Sequence, residues 1–414
     1  MTTRKSFLGF NAVVKRSKYQ LKIHRSITDI PREGWSSLVT PDTVPFLEWD
    51  WLAALEESGS VSPETDWHPL HLCLWEDGSG PECSAAVPRL AAAAPLYLRG
   101  SGGGEYIYDY FWAEAAADLG RRWYPRMVGA PATTPAEGYR FLAAPGIDPG
   151  EASALLLDAA ESICRQSRIP SINLLWADPT WAEGLPGLGY NAWDHFHYVW
   201  ENRGFADFDD YIASFTKNQR KNIRRESGRC LEQGISIRIV PGNEADESHY
   251  RRMFELFTIT NDKFIPWDAR WVNEDFFVRL FKNCRDITAF VEARRDSSGK
   301  VLAMAFLVHK GDRLWGRFWG AYEEVRDLHF AVCYYAPIDY CIQNNIHYFD
   351  PGAGSPHKVR RGFAAVRNRS WHKFFDPVVR RLFLDNLEAV NQHEAAHIGN
   401  LNAGLPLSFF RKKV

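Results

Sequence analysis

The chain has 414 residues, of which 45% are hydrophobic and 24% charged, with a formal net charge of -2. Such a composition is globular, and the length exceeds the roughly 250–300 residues at which a single core stops growing, so two domains are expected. Near-neutral charge excludes nucleic-acid binding through overall polarity and leaves that role to local basic patches.

The seven cysteines, at positions 73, 83, 164, 230, 284, 333 and 341, never form a CxxC pair. Their odd number and wide spacing argue against a zinc site and against a disulfide framework, so a reducing, cytoplasmic setting without a metal is expected. No apolar run has signal-peptide length, and none approaches the roughly 20 residues of a membrane span.

In chain order, residues 1–20 carry Arg4, Lys5, Lys15, Arg16 and Lys18 and suggest a basic flexible extension. Residues 45–57 (PFLEWDWLAALEE) place Phe46, Trp49, Leu52 and Leu55 near a 3.6-residue repeat and stop at Gly59, the pattern of an amphipathic helix. Strands are expected at 71–75, 94–98 and 172–176, a flexible glycine turn at 100–104 and a helix at 152–166. Composition turns acidic and then basic around residues 201–210, which sets a domain boundary near Arg203. Beyond it, helices are expected at 211–232, 269–283 and 329–344, with strands at 289–293, 301–309, 313–321 and 347–349. Both halves run helix, strands, helix, strand, which predicts an α/β (α+β) protein of two similar domains, 21–203 and 204–390, with a C-terminal tail from 391.

The stretch DPGAGSPHKVRRGF, residues 350–363, is the richest in chemistry. Backbone amides freed by Gly352 and Gly354 suit an anion that Lys358, Arg360 and Arg361 then hold. His357 is placed to take a proton from an attacking amine, and Asp350 is the second candidate base or the group that orients the imidazole. Upstream, Lys217, Arg220, Lys221 and Arg224 follow i, i+3, i+4, i+7 spacing and put four like charges on one helical face, which asks for phosphate oxygens. The competing expectation for such a face is a solvated surface. From 358 to 381 eight cations interleave with Phe363, Trp371, Phe374 and Phe375, a pattern that clamps phosphates and stacks on bases, or else packs its aromatics in a core.

Glu105 and Asp109 flank Tyr106 beside the glycine run and either bind an acceptor amine or cap the next helix. Tyr106 and Tyr334 are candidates to contact the acceptor, Tyr334 is also a candidate proton donor to a leaving group, and His329 is a weaker candidate than His357. No Walker A loop, strand-linked GxGxxG, HExxH or GxSxG is present, which removes specific support for nucleotide hydrolysis, dinucleotide redox, zinc peptidase and serine hydrolase chemistry.

Seven collinear segments, among them PFLEWDWLAALEESGS, AAAAPLYLRGSGGGEYIYDYFWAEA, SFTKNQRKNIRRE, LHFAVCYYAPIDYCI and YFDPGAGSPHKVRRGF, resemble the bacterial peptidoglycan biosynthesis or recognition family. That family belongs to the GNAT-like acyltransferases and is related to the Fem-type aminoacyltransferases. The resemblance implies tandem GNAT-like domains that deliver an activated acyl group to an amine, from aminoacyl-tRNA in Fem-type relatives or acyl-CoA in ordinary GNAT enzymes. No tightly bound cofactor is implied; the donor is a co-substrate, and the acceptor is a small-molecule or peptide amine. RGSGGG at 99–104 matches the GNAT pyrophosphate signature formally, whereas two basic runs in the second half favour tRNA. Ala331 stands where the family carries a glutamate, residues 102–104 where it carries a histidine before glycine-glutamate, and Ala364–Ala365 near its proline. These departures suggest a specialised acceptor, as in secondary metabolism, or a non-catalytic module that binds RNA or cell-wall fragments.

Overall fold

The computed structural model describes residues 14–16, 18–76, 88–265 and 269–408. Residues 1–13 of the expected extension and Cys83 lie outside them. From residue 14 onward that extension is instead a hairpin: Val14–Arg16 pairs antiparallel with Tyr19–His24, which continues into His71–Glu76, Arg89–Ala94 and Leu142–Ala143 to make a five-stranded sheet. Tyr19 is buried there, and burial of an aromatic ring explains why the chain is ordered so early.

The second sheet has eleven strands. From one edge they run Ile235–Pro241, Thr288–Arg295, Val301–Lys310, Arg313–Ala321, Tyr348–Asp350, Asn191–Glu201, Ala364–Phe374, Ser171–Leu174, Arg126–Gly129, Leu96–Arg99 and Trp67–Pro69. Two members are exchanged between the halves. Asn191–Glu201, before the expected boundary, meets the second-half strand Tyr348–Asp350, while Ala364–Phe374, after it, pairs with the first-half strand Ser171–Leu174. The two exchanged strands also pair with each other along nearly their whole length. A cut at residue 203 therefore separates chain segments but not folding units.

Helices sit where amphipathic patterns and caps place them. Glu48 stays extended, so the expected 45–57 helix divides into a short turn, Pro45–Leu47, and the helix Trp49–Glu57, which buries Trp51, Leu52 and Leu55. Asp148 caps Pro149–Ser167 by accepting the Glu151 N–H at 2.6 Å. The expected 211–232 helix is two, Phe208–Ala213 and Lys217–Glu232, because Thr216 is extended and gives its N–H to the Pro406 carbonyl. The tail expected from 391 is the second half of Pro377–Ala403, a 27-residue helix whose cap Asp376 accepts from Val378 and Val379.

The halves also share apolar packing. The Phe46 ring meets Trp315 edge-on at 5.5 Å and Trp51 meets Phe276 at 5.4 Å, each pair joining first half to second. At Gly320 the helix Glu247–Asp262 lies so close that a Cβ would stand 2.0 Å from the Leu256 carbonyl oxygen, so only glycine fits.

One sheet feature positions the site. Arg313–Ala321 pairs in parallel with Tyr348–Asp350 for three residues, ending at Trp315 with Asp350. On its other side Tyr348–Asp350 meets Asn191–Glu201 only at Trp200 and Glu201. Beyond Asp350 the sheet opens on both sides, and the glycine turn fills the opening.

Because of the strand exchange, fragments 18–203 and 204–408 expressed separately are expected to lack cooperative unfolding by circular dichroism. Co-expressed, they are expected to purify as one complex with a single transition. Independent cooperative folding of either fragment contradicts the shared sheet.

Candidate active site

Asp350 lies at the point of opening, buried, with its carboxylate accepting the Gly352 N–H at 2.7 Å and facing the Arg317 guanidinium at 3.3 Å. Gly352 has φ +80°, and a Cβ there would stand 2.9 Å from the Gly316 carbonyl oxygen, so the turn needs glycine. Its N–H is committed to Asp350 and does not face an incoming anion. The amides of Ala353 and Gly354 have no acceptor among the described residues.

Lys358 is not a surface cation. It is 2% exposed, and its ammonium donates to the carbonyls of Gly352 at 2.6 Å and Ala353 at 2.8 Å. Burial lowers its pKa to about 8, with Asp350 opposing and Arg317 reinforcing the shift. The lysine thus clasps the turn from below and holds its peptide groups in place. Arg361 is also turned inward: it donates to Glu226 at 2.6 Å and to the His357 carbonyl at 3.0 Å, and stacks 3.4 Å over the Phe330 ring. Both differ from the expected phosphate grip, because a buried cation binds the nearest fixed acceptors once water is removed.

His357 follows the turn, half-buried, with Nε2 3.1 Å from the Tyr334 hydroxyl and its ring 5.9 Å from His329. Burial, aided by Arg361 and Lys358, lowers its pKa to about 4, and burial with His357 does the same for His329. Burial raises the Tyr334 pKa and keeps the group a phenol. A neutral imidazole and a phenol therefore meet beside the turn. The phenol comes from the helix 328–343, which widens to a π-helix at Ala331–Tyr335, and the His357 imidazole from the turn Pro356–Arg361. Ala331 itself is buried in the second-half core and presents nothing to the opening.

The expected acceptor carboxylates are inside the protein. Glu105 pairs with Arg99 at 3.3 Å and with Arg126, while Asp109 pairs with Arg126 and accepts from Trp123 at 2.5 Å and Tyr124 at 2.7 Å. This buried network satisfies both acids and leaves neither for a ligand. It also accounts for RGSGGG, since Arg99 is 1% exposed and donates to the Asp66 and Gly103 carbonyls, and no helix opens until Tyr110. Tyr106 does face a cavity. With Trp176, His195, His197 and residues 352–354 it lines about 290 Å³ beside the turn.

The basic helix face divides. Lys217, Lys221 and Arg224 are exposed, with Asp209 3.7 Å from Arg224, whereas Arg220 turns back to the Phe215 carbonyl at 2.8 Å. Gln219 joins this helix to the glycine segment by donating to the Arg360 carbonyl at 2.8 Å, and Arg360 is exposed. The two basic runs are therefore neighbours. Of the interleaved aromatics, Phe363, Trp371 and Phe374 are core residues, while Arg369 pairs with Asp194 at 2.9 Å and Lys373 with Glu161 at 2.5 Å.

Arg317, His195 and His197 are site residues that periodicity alone does not single out. Alternate histidines in HFHYVW mark one strand face, and this pattern was the available signal. His195 holds Ser370 at 2.6 Å, and His197 Nδ1 is buried without a hydrogen-bond partner.

Residues 26–409 match the FemAB-like family model, described as peptidoglycan biosynthesis/recognition, and the chain belongs to that family. The crystal structure of FemX is similar, with a TM-score of 0.50 at 12% identity over 85% of this chain and 98% of FemX. A C-terminal domain of a putative lysylphosphatidylglycerol synthetase from Agrobacterium fabrum gives 0.47 at 8% identity, covering 89% and 99%. A tandem GNAT protein from the clavulanic acid biosynthesis pathway gives 0.43 at 12% identity, covering 86% and 99%. No curated protein sequence matches. The architecture is GNAT-like and Fem-type. Among the described residues no helix is long and apolar enough to cross a membrane.

Arg361→Ala is expected to cost about 3 kcal/mol in denaturant unfolding, because it leaves the Glu226 carboxylate with the Tyr335 hydroxyl but no cation. Lys221→Ala is expected to stay within about 0.5 kcal/mol. For His357 the folded pKa, about 4, lies below the ordinary 6.5, so the unfolded chain binds the proton first. Its contribution is nil above pH 6.5, and stability falls as pH drops from there toward 4. His357→Asn is expected to flatten that part of the pH–stability curve, measured by thermal unfolding.

Proposed function

We propose that the protein transfers an activated acyl or aminoacyl group to an amine to form an amide, with aminoacyl-tRNA as the favoured donor and a peptide amine of a peptidoglycan precursor as the family-typical acceptor. A small-molecule amine of secondary metabolism is the specialised alternative. The observation that carries the donor assignment is the exposed ridge of Lys217, Lys221 and Arg224, joined through Gln219 to the carbonyl of the exposed Arg360 in the segment after the glycine turn. Surface cations in a row, with Asp209 beside Arg224 alone, suit a polyphosphate backbone. Closure of the RGSGGG segment around Arg99 disfavours acyl-CoA binding there.

The chemistry is direct aminolysis: the amine attacks the donor ester carbonyl, the C–N bond forms, and the donor hydroxyl leaves. Alignment in the opening supplies much of the rate, for which effective molarities reach roughly 10⁵–10⁸ M. The free amides of Ala353 and Gly354 face the opening as oxyanion donors, held by Lys358. The C–O bond breaks as Tyr334, kept protonated, gives a proton to the leaving oxygen; the proton released by the attacking nitrogen restores the phenol, which His357 orients through its 3.1 Å contact.

Mass spectrometry of candidate amines incubated with the protein, charged tRNA or acyl-CoA tests this reading. A new amide that depends on charged tRNA and disappears with RNase is expected. An amide formed from acyl-CoA and indifferent to RNase overturns the donor assignment.

A further inference from the structure

A second cavity, of about 480 Å³, lies between the halves, walled by residues 41–44, 137–138, 140 and 178–180 of the first and 310–313 and 315 of the second. Its cations are engaged. Lys310 donates to Glu48 at 2.5 Å and to the Thr43 carbonyl at 2.7 Å, Arg140 to the Thr40 hydroxyl at 2.7 Å and the Thr43 hydroxyl at 3.0 Å, and Arg313 lies 5.1 Å over the Tyr348 ring. Asp178 stands 4.0 Å from Arg140. Glu137, by contrast, has no hydrogen bond or ion pair among the described residues. The groups whose charge it feels are Arg313 on the strand Arg313–Ala321, Asp178, and Asp350 at the end of Tyr348–Asp350; Asp42 and Asp312 add carboxylates to the wall.

Position makes this carboxylate significant. Pro135 lines the cavity that contains the glycine turn, and Glu137, two residues on, lines this one, so one short segment separates them. We propose that the 480 Å³ cavity receives the acceptor as a primary ammonium ion, with the Glu137 carboxylate binding it and taking its proton. One N–H proton moves to a carboxylate oxygen, and the electron pair of that bond stays on nitrogen, ready to attack the donor carbonyl. The assignment rests on the amide-forming reading above. Burial, reinforced by Asp178 and Asp350 against Arg313, raises the Glu137 pKa to about 8, which suits a base working near neutrality. Asp350 is less suited, because its oxygens are already shared between Arg317 and the Gly352 amide.

The test is ligand-observed NMR titration of the full chain with n-butylamine, using n-butanol as the neutral control. Butylamine is expected to bind, butanol not to compete, and Glu137→Gln to weaken binding by about tenfold or more, the loss expected of a charge-assisted contact. Wild-type affinity is expected to rise with pH up to about 8 and then level, since a proton competes with the ammonium for the carboxylate. That titration needs no variant and stands if Glu137→Gln does not fold. Equal binding of butanol, binding by Glu137→Gln within about twofold of wild type, or a flat pH profile overturns the proposal. If butylamine binds as expected but no donor gives an amide, the transferase reading fails and the cavity assignment stands. If Glu137→Gln forms amide at the wild-type rate, the cavity assignment fails and the transferase reading stands.

Discussion

Pairing of Asn191–Glu201 with Ala364–Phe374 sets Asn191 against His372 and carries the register through to Val199 against Ala364. Each of these strands also pairs with a strand from the opposite half of the chain, so two GNAT-like units share one sheet and neither has a complete sheet alone. The opening beyond Asp350 follows from this arrangement. Tyr348–Asp350 is only three residues long, and where it ends the facing edges of the two much longer strands on either side of it have no partner between them. A gap of that kind carries unpaired backbone and cannot close without moving the exchanged strands, which makes it a fixed place to hold a substrate.

Buried cations support that place and leave recognition to others. Lys358 ties down two carbonyls of the turn, and Arg361 joins the helix Lys217–Glu232 to the segment that carries His357. Both act by positioning. On the proposed function, contact with a donor falls to the exposed ridge of Lys217, Lys221, Arg224 and Arg360, and to the free amides at 353 and 354. Buried ion pairs add little net stability, yet removing one partner is costly, so the arrangement favours a single geometry at the opening.

Much of this was legible in the sequence. Apolar spacing marked a helix at 45–57, the expected helix at 152–166 and strands at 289–293, 301–309 and 313–321 meet observed elements, and motif order marked the family. The glycine turn and His357 were legible because glycine beside a histidine and cations is a local signal. Partner choice was not: Arg361 meets Glu226 from 135 positions away, and Glu105 and Asp109 are neutralised by Arg99 and Arg126 across strands. Whether a charge faces water or a buried partner depends on such long-range pairing, which no window of sequence contains. The strand exchange was hidden for the same reason, and Glu137 gave no signal because one acid in a loop has no pattern.

The central claim is that the ridge formed by the helix Lys217–Glu232 holds the donor as a polyanion. The most direct measurement is the salt dependence of tRNA affinity for the wild type and for Lys217→Ala/Lys221→Ala/Arg224→Ala. These cations are exposed, so the triple variant keeps its fold, and the slope of log affinity against log salt is expected to become shallower by about 2–3. An unchanged slope, with affinity intact, contradicts the account.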